Sequence, residues 1–93
     1  MKKGAYFINT ARGAVIDEQA LVDALNTDHL AGAAIDVLAV EPMQADCPLL
    51  NAKNIRITPH VAWAPKETRM RVLDTVVKNI ETFLEGCPQN RVN

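Results

Sequence analysis

Two side chains of this sequence form a pair that could transfer a proton. His60 follows Thr58 and Pro59, and Glu41 precedes Pro42 upstream. Histidine titrates near neutral pH, and a carboxylate bonded to one ring nitrogen fixes the tautomer. The other nitrogen can then donate or accept a proton, as a general acid or base does. We therefore predict a catalytic His60 oriented by Glu41; the alternative is a structural or exposed histidine.

Arg12 is the third candidate for the same site. It follows Thr10 and Ala11 and precedes Gly13. A guanidinium binds a carboxylate through two parallel hydrogen bonds, and it could also polarise a carbonyl beside that carboxylate. Gly13 is expected to permit an unusual backbone conformation, and Thr10 and Ala11 to bring main-chain groups close to a ligand. An exposed surface charge is the alternative for Arg12.

Three other residues have a less specific signal. Asp36 is a charged residue near the end of an apolar run, so it needs a hydrogen-bonding partner. It either accepts from an amide or amine of a ligand, caps a turn, or pairs with Arg12. Trp63 belongs either to the ligand site or to the core. His29 is expected in a turn at a helix terminus, exposed to solvent.

Short apolar runs predict the strands that position these residues, at 5–8, 33–37 and 55–58. The first is expected to be a buried strand. Pro59 ends the third, because proline has no N–H to donate to a ladder. Each candidate then lies near the carboxyl end of a strand, where open α/β sheets bind their ligands.

Two helices are predicted between and after these strands. Asp17 is the expected N-cap of the first. The second is a long C-terminal helix over 65–86, with Pro65 in its first turn and Gly86 at its C-terminal cap. One helical turn is expected near 49–51. The alternation predicts an α/β fold with a parallel sheet, right-handed crossovers and one open edge.

Composition limits the classes of function. The chain has 93 residues, 48% of them hydrophobic and 23% charged, which suits one small folded domain. A net charge of -1 provides no field that would attract nucleic acid or an anionic membrane. Two histidines and scattered carboxylates make no metal site. Cys47 and Cys87 are expected as reduced thiols of a cytoplasmic protein.

Several motifs, in one order along nearly the whole chain, resemble those of the D-isomer-specific 2-hydroxyacid dehydrogenases. They lie at residues 4–13, 17–21, 31–37, 41–42 and 58–60. Residues 60–63 and 86–90 are most similar to the glycerate dehydrogenase/hydroxypyruvate reductase branch. The resemblance implies that residues 1–93 are the C-terminal half of a three-layer, Rossmann-type NAD-binding domain, with the 65–86 helix returning to a substrate domain.

The resemblance also implies roles for single residues. His60 would be the acid/base at the substrate oxygen, with Glu41 as its orienting carboxylate. Arg12 would bind the substrate carboxylate and polarise its 2-keto group, and Asp36 would contact the nicotinamide carboxamide of NAD or NADP. The residues implied at the cofactor are Thr10, Ala11, Arg12, Asp36, His60 and Ala62. Those implied at the substrate are Arg12, His60 and Trp63.

Residues 1–93 depart from the family pattern because they hold neither its G-x-G-x-x-G turn nor its substrate domain. The isolated chain is therefore expected to be inactive. The enzyme implied by the family reduces a 2-keto acid such as hydroxypyruvate or glyoxylate to a D-2-hydroxy acid. The alternatives are an NAD-binding regulator like the corepressors of this fold, or a fragment that only folds and associates. Self-association, as a dimer, is expected through the open sheet edge and the long helix.

Overall fold

The computed structural model describes residues 1–92. The chain forms two compact units, Met1–Ala62 and a second that begins at Trp63. The strands and α-helices are β1 Ala5–Asn9, α1 Glu18–Asn26, β2 Leu30–Ile35, β3 Ile55–Ile57 and α2 Lys66–Leu84. Short 3₁₀ helices lie at Gly13–Val15 and Pro48–Asn51.

The first unit contains a parallel sheet of order β1-β2-β3. Asn9 pairs with Ile35, and Ile35 pairs with Ile57, so the carboxyl ends of all three strands lie at one edge. Two further main-chain bonds extend this alignment, from Asp36 N to Asn9 O and from Thr58 N to Ile35 O, each 2.9 Å long. The predicted α/β fold with a parallel sheet is confirmed, and it brings the three strand-end segments together.

The strands differ from their predictions in two respects. The second begins at Leu30 and ends at Ile35, whereas 33–37 was predicted. Small residues have weak strand propensity, but pairing with β1 extends the strand through them. The expectation that β1 is buried was also wrong, because Tyr6 and Ile8 are 74% and 71% exposed. An apolar run alone does not separate a strand buried on both faces from one buried on a single face.

Helix α1 covers the buried face of the sheet. Its N-cap is Asp17, as predicted, whose Oδ1 accepts a hydrogen bond of 3.0 Å from the Ala20 amide. The core that it forms with β2 and the second 3₁₀ helix is made of Leu21, Val22, Leu25, Leu30, Ala33, Ile35, Cys47 and Leu49. This core packs α1 and the second 3₁₀ helix against β2, whose last residue directly precedes Asp36.

The second unit is dominated by α2. The helix ends in two bonds typical of a Schellman motif, from Gly86 N to Phe83 O at 3.1 Å and from Cys87 N to Thr82 O at 2.8 Å. Gly86 has a φ of 77°, which explains glycine at this position. Apolar side chains recur along α2 at helical spacing, and all of the following are exposed: Met70, Leu73, Val76, Val77, Ile80, Phe83 and Leu84.

Four other observations concern residues 1–92. No helix in this range is both long and apolar enough to cross a membrane. No group of three or more acidic, histidine or cysteine side chains in the same range could hold a metal ion. Cys47 is buried and Cys87 exposed, and both are free thiols. His29 is exposed, as expected.

Candidate active site

A tight turn at the end of β3 carries His60. The His60 amide donates to Thr58 O across Pro59, with an N–O distance of 3.0 Å. His60 itself has a φ of 53°, in the left-handed region that side chains other than glycine seldom adopt. Such a conformation persists only where surrounding contacts hold it. The contacts that hold this turn come from Asp36.

Asp36 is buried and accepts three hydrogen bonds from the turn. Its Oδ1 accepts from Thr58 Oγ1 at 2.5 Å and from the Val61 amide at 3.0 Å. Its Oδ2 accepts from the Ala62 amide at 2.8 Å. The Thr58 bond does most to lower the pKa of Asp36, and the Ala62 and Val61 amides add to it against the opposing effect of burial. Asp36 therefore binds the turn on both sides of His60, through Thr58 before it and through Val61 and Ala62 after it.

This arrangement supports one interpretation of Asp36 and leaves another open. The side chain holds a turn, which was one of the alternatives, and none of the three donors described above belongs to Arg12. Each carboxylate oxygen has more than one acceptor position. Contact with a ligand amide is therefore compatible with the geometry and stays a prediction.

His60 and Glu41 form the predicted pair. His60 Nδ1 lies 2.8 Å from Glu41 Oε2, and the two side chains are 40% and 38% exposed. Glu41 Oε1 accepts a second bond, of 2.9 Å, from the Leu38 amide. The His60 bond, followed by the Leu38 bond, lowers the pKa of Glu41. Because an ionised carboxylate only accepts, Nδ1 bears the hydrogen of this bond.

Gly13 supports the loop that leads to Glu41. Its φ lies outside the left-handed region, so the expectation that it permits an unusual backbone was wrong. Glycine is needed for space instead. A Cβ atom at this position would lie 1.9 Å from Leu38 C and 2.3 Å from Ala39 N. The main chain at Gly13 therefore packs directly against the Leu38–Ala39 peptide.

Asn9 organises the loop after β1. It is 4% exposed; its Nδ2 donates to Arg12 O at 2.9 Å, and its Oδ1 accepts from the Ala11 amide at 3.0 Å. The Arg12 guanidinium is exposed and donates to Ala11 O at 2.6 Å. No functional role for Asn9 was predicted from the sequence. The available signal was a polar residue directly after an apolar strand, the same signal that identified Asp36.

Two cavities lie along the carboxyl edge of the sheet. One, of about 330 Å³, is lined by residues that include Glu41 and His60. The other, of about 170 Å³, is lined by residues that include Thr10 and Ala62. Asp36 belongs to both linings. The structure thus brings together five of the predicted site residues.

The remaining predicted site residues lie elsewhere. Ala11 and Arg12 are exposed in the loop after β1 and do not line these two cavities. Trp63 begins the second unit, and its side chain is 57% exposed. Their roles at a ligand stay predictions.

Residues 1–62 match the family described as D-isomer specific 2-hydroxyacid dehydrogenase, NAD binding domain. The chain is 54% identical over 93 residues to a hydroxypyruvate reductase of Blautia hydrogenotrophica, covering all of this chain and 29% of the relative. It is 47% identical over 94 aligned residues to a glycerate dehydrogenase of Methylorubrum extorquens, covering 99% of this chain and 30% of the relative. It therefore spans about three-tenths of the length of these curated relatives.

The solved structures similar to this one include an acyclic imino acid reductase, Bsp5, in complex with NADPH and D-Arg. The TM-score is 0.71 at 36% sequence identity, over all of this chain and 29% of that one.

Proposed function

Because this chain belongs to the family of D-isomer specific 2-hydroxyacid dehydrogenases, we propose that the protein reduces a small 2-keto acid to a D-2-hydroxy acid with NAD(P)H. The observation that carries this proposal is the bond of 2.8 Å between His60 Nδ1 and Glu41. It stands at the carboxyl edge of a parallel sheet, where such folds bind their ligands. The pair would supply the general acid that reduction of a carbonyl requires.

The residues of the smaller cavity fit a nicotinamide group. Thr10 and Ala62 line the same space of about 170 Å³ as Asp36, so a hydroxyl, main-chain groups and a carboxylate are available to a planar ring with an amide. We infer that Asp36 accepts from that amide, and that Ala11, Arg12 and His60 complete the contacts. When bound, the reduced cofactor supplies the hydride that C2 of the substrate receives.

His60 supplies the proton in this scheme. The charged Glu41 holds Nδ1–H, which leaves Nε2 as the ring atom that exchanges a proton with the substrate oxygen. A carboxylate in this position also stabilises the doubly protonated ring before donation. In the oxidative direction Nε2 accepts the proton of the hydroxyl group. Glu41 acts through His60 and is a positioning residue.

Arg12 is the residue that we propose to bind the substrate. The exposed guanidinium of Arg12 would bind the substrate carboxylate through a two-bond fork and polarise the 2-keto group. We propose hydroxypyruvate or glyoxylate as the substrate, which the names of the similar hydroxypyruvate reductase and glycerate dehydrogenase support. Trp63 would contact this small polar molecule.

A chimera would test this function. Residues 1–93 of this chain would replace the matched stretch of the Blautia hydroxypyruvate reductase, whose sequence is 54% identical there. The chimera is expected to oxidise NAD(P)H with hydroxypyruvate. The His60→Ala variant should lower turnover by about 10²–10⁴-fold, because it removes the acid/base group, while NAD(P)H affinity changes little.

His29→Ala is the matched control, since His29 is the other histidine and is exposed. It should leave turnover unchanged. An active chimera that keeps its turnover in His60→Ala would contradict the acid/base role. Equal losses of turnover and of NAD(P)H affinity would mean that His60 is structural.

For the isolated chain we propose folding and self-association without turnover. Tyr6 and Ile8 on β1, together with the apolar stripe of α2, expose surface of the kind that associating chains bury. Sedimentation should show a dimer whose fraction rises with concentration, and a monomer throughout would contradict it.

Titration with NADH, followed by quenching of the single tryptophan, should show no saturable binding. We place the protein in the cytoplasm, which its two free thiols support.

A further inference from the structure

We propose that Glu18 is a positioning residue for the His60–Glu41 pair, acting through the loop that contains Leu38 and Ala39. The expected effect on catalysis rests on the proposed function, whereas the expected effect on the loop rests on the geometry alone. Glu18 lies at the start of α1, far from His60 along the chain.

Glu18 binds the loop through one hydrogen bond. Its Oε1 accepts from the Ala39 amide at 2.8 Å, across 21 residues of sequence. Glu18 is the first residue of α1 and is half-buried. The N-cap bond of that helix is made by Asp17, so the Glu18 carboxylate is not required for that task. Its side chain is directed at the loop instead.

The neighbouring amide of the same loop belongs to the site. Leu38 N–H donates to Glu41 Oε1 at 2.9 Å, and Glu41 Oε2 holds His60 Nδ1 at 2.8 Å. Two consecutive amides thus donate to two carboxylates, Ala39 to Glu18 and Leu38 to Glu41. The orientation of the Leu38 N–H depends on the same short stretch of main chain that Glu18 holds.

Gly13 restricts that stretch further. Its main chain lies so close to Leu38 and Ala39 that no Cβ could be accommodated. The loop therefore rests against Gly13 and is tied by Glu18, and Glu41 is presented from it. Removal of the Glu18 carboxylate leaves the Ala39 amide without this acceptor and allows the peptide to rotate. The Leu38 bond to Glu41 would then weaken, and with it the orientation of the His60 ring.

Amide exchange in the 93-residue chain tests the structural step. Glu18→Ala removes the acceptor, whereas Glu18→Gln keeps a side-chain oxygen that can accept from Ala39. In Glu18→Ala we expect exchange of the Leu38 amide to rise about tenfold, because its bond to the charged Glu41 weakens once the Ala39 amide has lost its acceptor. In Glu18→Gln it should stay within about threefold of the original rate. The Leu25 amide in the buried part of α1 should keep its rate in both variants.

Glu67→Ala is the matched control, because Glu67 is also an acidic residue in the first turn of a helix. It should leave Leu38 exchange unchanged. If Glu18→Ala accelerates Leu25 and Leu38 equally, Glu18 only stabilises the fold and the proposal is wrong. Unchanged Leu38 exchange in Glu18→Ala would show that the loop is held without Glu18, which also overturns it.

The chimera described above tests the catalytic step. Glu18→Ala should lower kcat about tenfold with KM unchanged, and Glu18→Gln should restore most of it. A rise in KM alone, or no rescue by glutamine, would contradict a role through the His60–Glu41 pair. Should the unmodified chimera be inactive, the proposed function fails, whereas the amide-exchange result still decides whether Glu18 holds the loop.

Discussion

The turn that carries His60 and the loop that carries Arg12 are organised in the same way, but the two side chains are fixed to different extents. Each follows a parallel strand, and each is organised by a buried polar residue at a strand end, Asp36 in one case and Asn9 in the other. In the turn, the His60 ring itself is bonded to Glu41. In the loop, Asn9 fixes the main chain, whereas the Arg12 guanidinium is exposed and donates to its neighbouring carbonyl, Ala11 O.

The difference is what the proposed roles of His60 and Arg12 would require. A group that exchanges a proton must already have its tautomer and direction when the substrate arrives, because reorientation would add to the barrier. A guanidinium that binds a carboxylate can be oriented by that carboxylate, since the two-bond fork supplies its own geometry. Under the proposed function, the chain would preorganise the His60–Glu41 pair and leave Arg12 to be ordered by its ligand.

Among the variants that test this comparison, Asp36→Asn is expected to have the largest effect, because it loosens the turn that carries His60. The amide group can accept through one oxygen only, so the Ala62 amide would face an NH₂ group and lose its acceptor. We expect the Ala62 amide to exchange at least about tenfold faster, and the urea midpoint of unfolding to fall. Hydrogen exchange followed by NMR, together with urea unfolding, would measure both.

Asp46→Asn is the control for Asp36→Asn, because Asp46 is an exposed aspartate of the same unit. It should leave the midpoint and the Ala62 exchange rate unchanged. If Asp36→Asn behaved like this control, the turn would be held by something other than the carboxylate, and the contrast with the Arg12 loop would lose its basis.

A smaller effect is expected from pH. The pKa values of Asp36 and Glu41 are lowered, mainly by Thr58 and His60 respectively, so the folded chain binds fewer protons than the unfolded chain in acid. The stability that these two carboxylates give the folded chain is therefore complete above the usual pKa range of carboxyl groups. It is lost as the pH falls through their lowered pKa values. The free energy of unfolding, measured by urea titration, should fall below about pH 4.

The chain has 11 acidic residues, so a variant that lacks one of them is needed to isolate the contribution of Glu41. Glu41→Gln removes one titrating group, whose partner His60 remains. The loss of stability below about pH 4 should be shallower in this variant. An identical slope in the two proteins would mean that Glu41 titrates alike in the folded and unfolded chains.

The sequence predicts the fold and the pair because both depend on local signals. Apolar runs and caps give the order of strands and helices, and parallel strands bring their carboxyl ends to one edge. His60 and Glu41 both lie near predicted strand ends, so their approach follows from topology. The N-cap role of Asp17 is predicted for the same reason, since a side chain bonding its own helix leaves a local pattern.

The supporting contacts could not be predicted because they join segments that are distant in sequence. The bond from Ala39 to Glu18 and the space left by Gly13 for Leu38 depend on how α1 lies against the loop after β2. Nothing in the residue types at these positions specifies that distance. The exposure of Tyr6 and Ile8 was missed likewise, because an apolar side chain does not reveal whether its face of the sheet is covered.

The smallest effect is expected from Arg12→Ala in the 93-residue chain, and it would sharpen the contrast most directly. The guanidinium is exposed and bonded to Ala11 O, so its loss should change the free energy of unfolding by less than about 0.5 kcal/mol. Asn9→Ala, which removes both bonds of a buried side chain, should cost about 1–3 kcal/mol. Urea unfolding of the two variants would give both values. Equal losses would show that the chain itself holds the guanidinium, and orientation of Arg12 by its ligand would then be the wrong account.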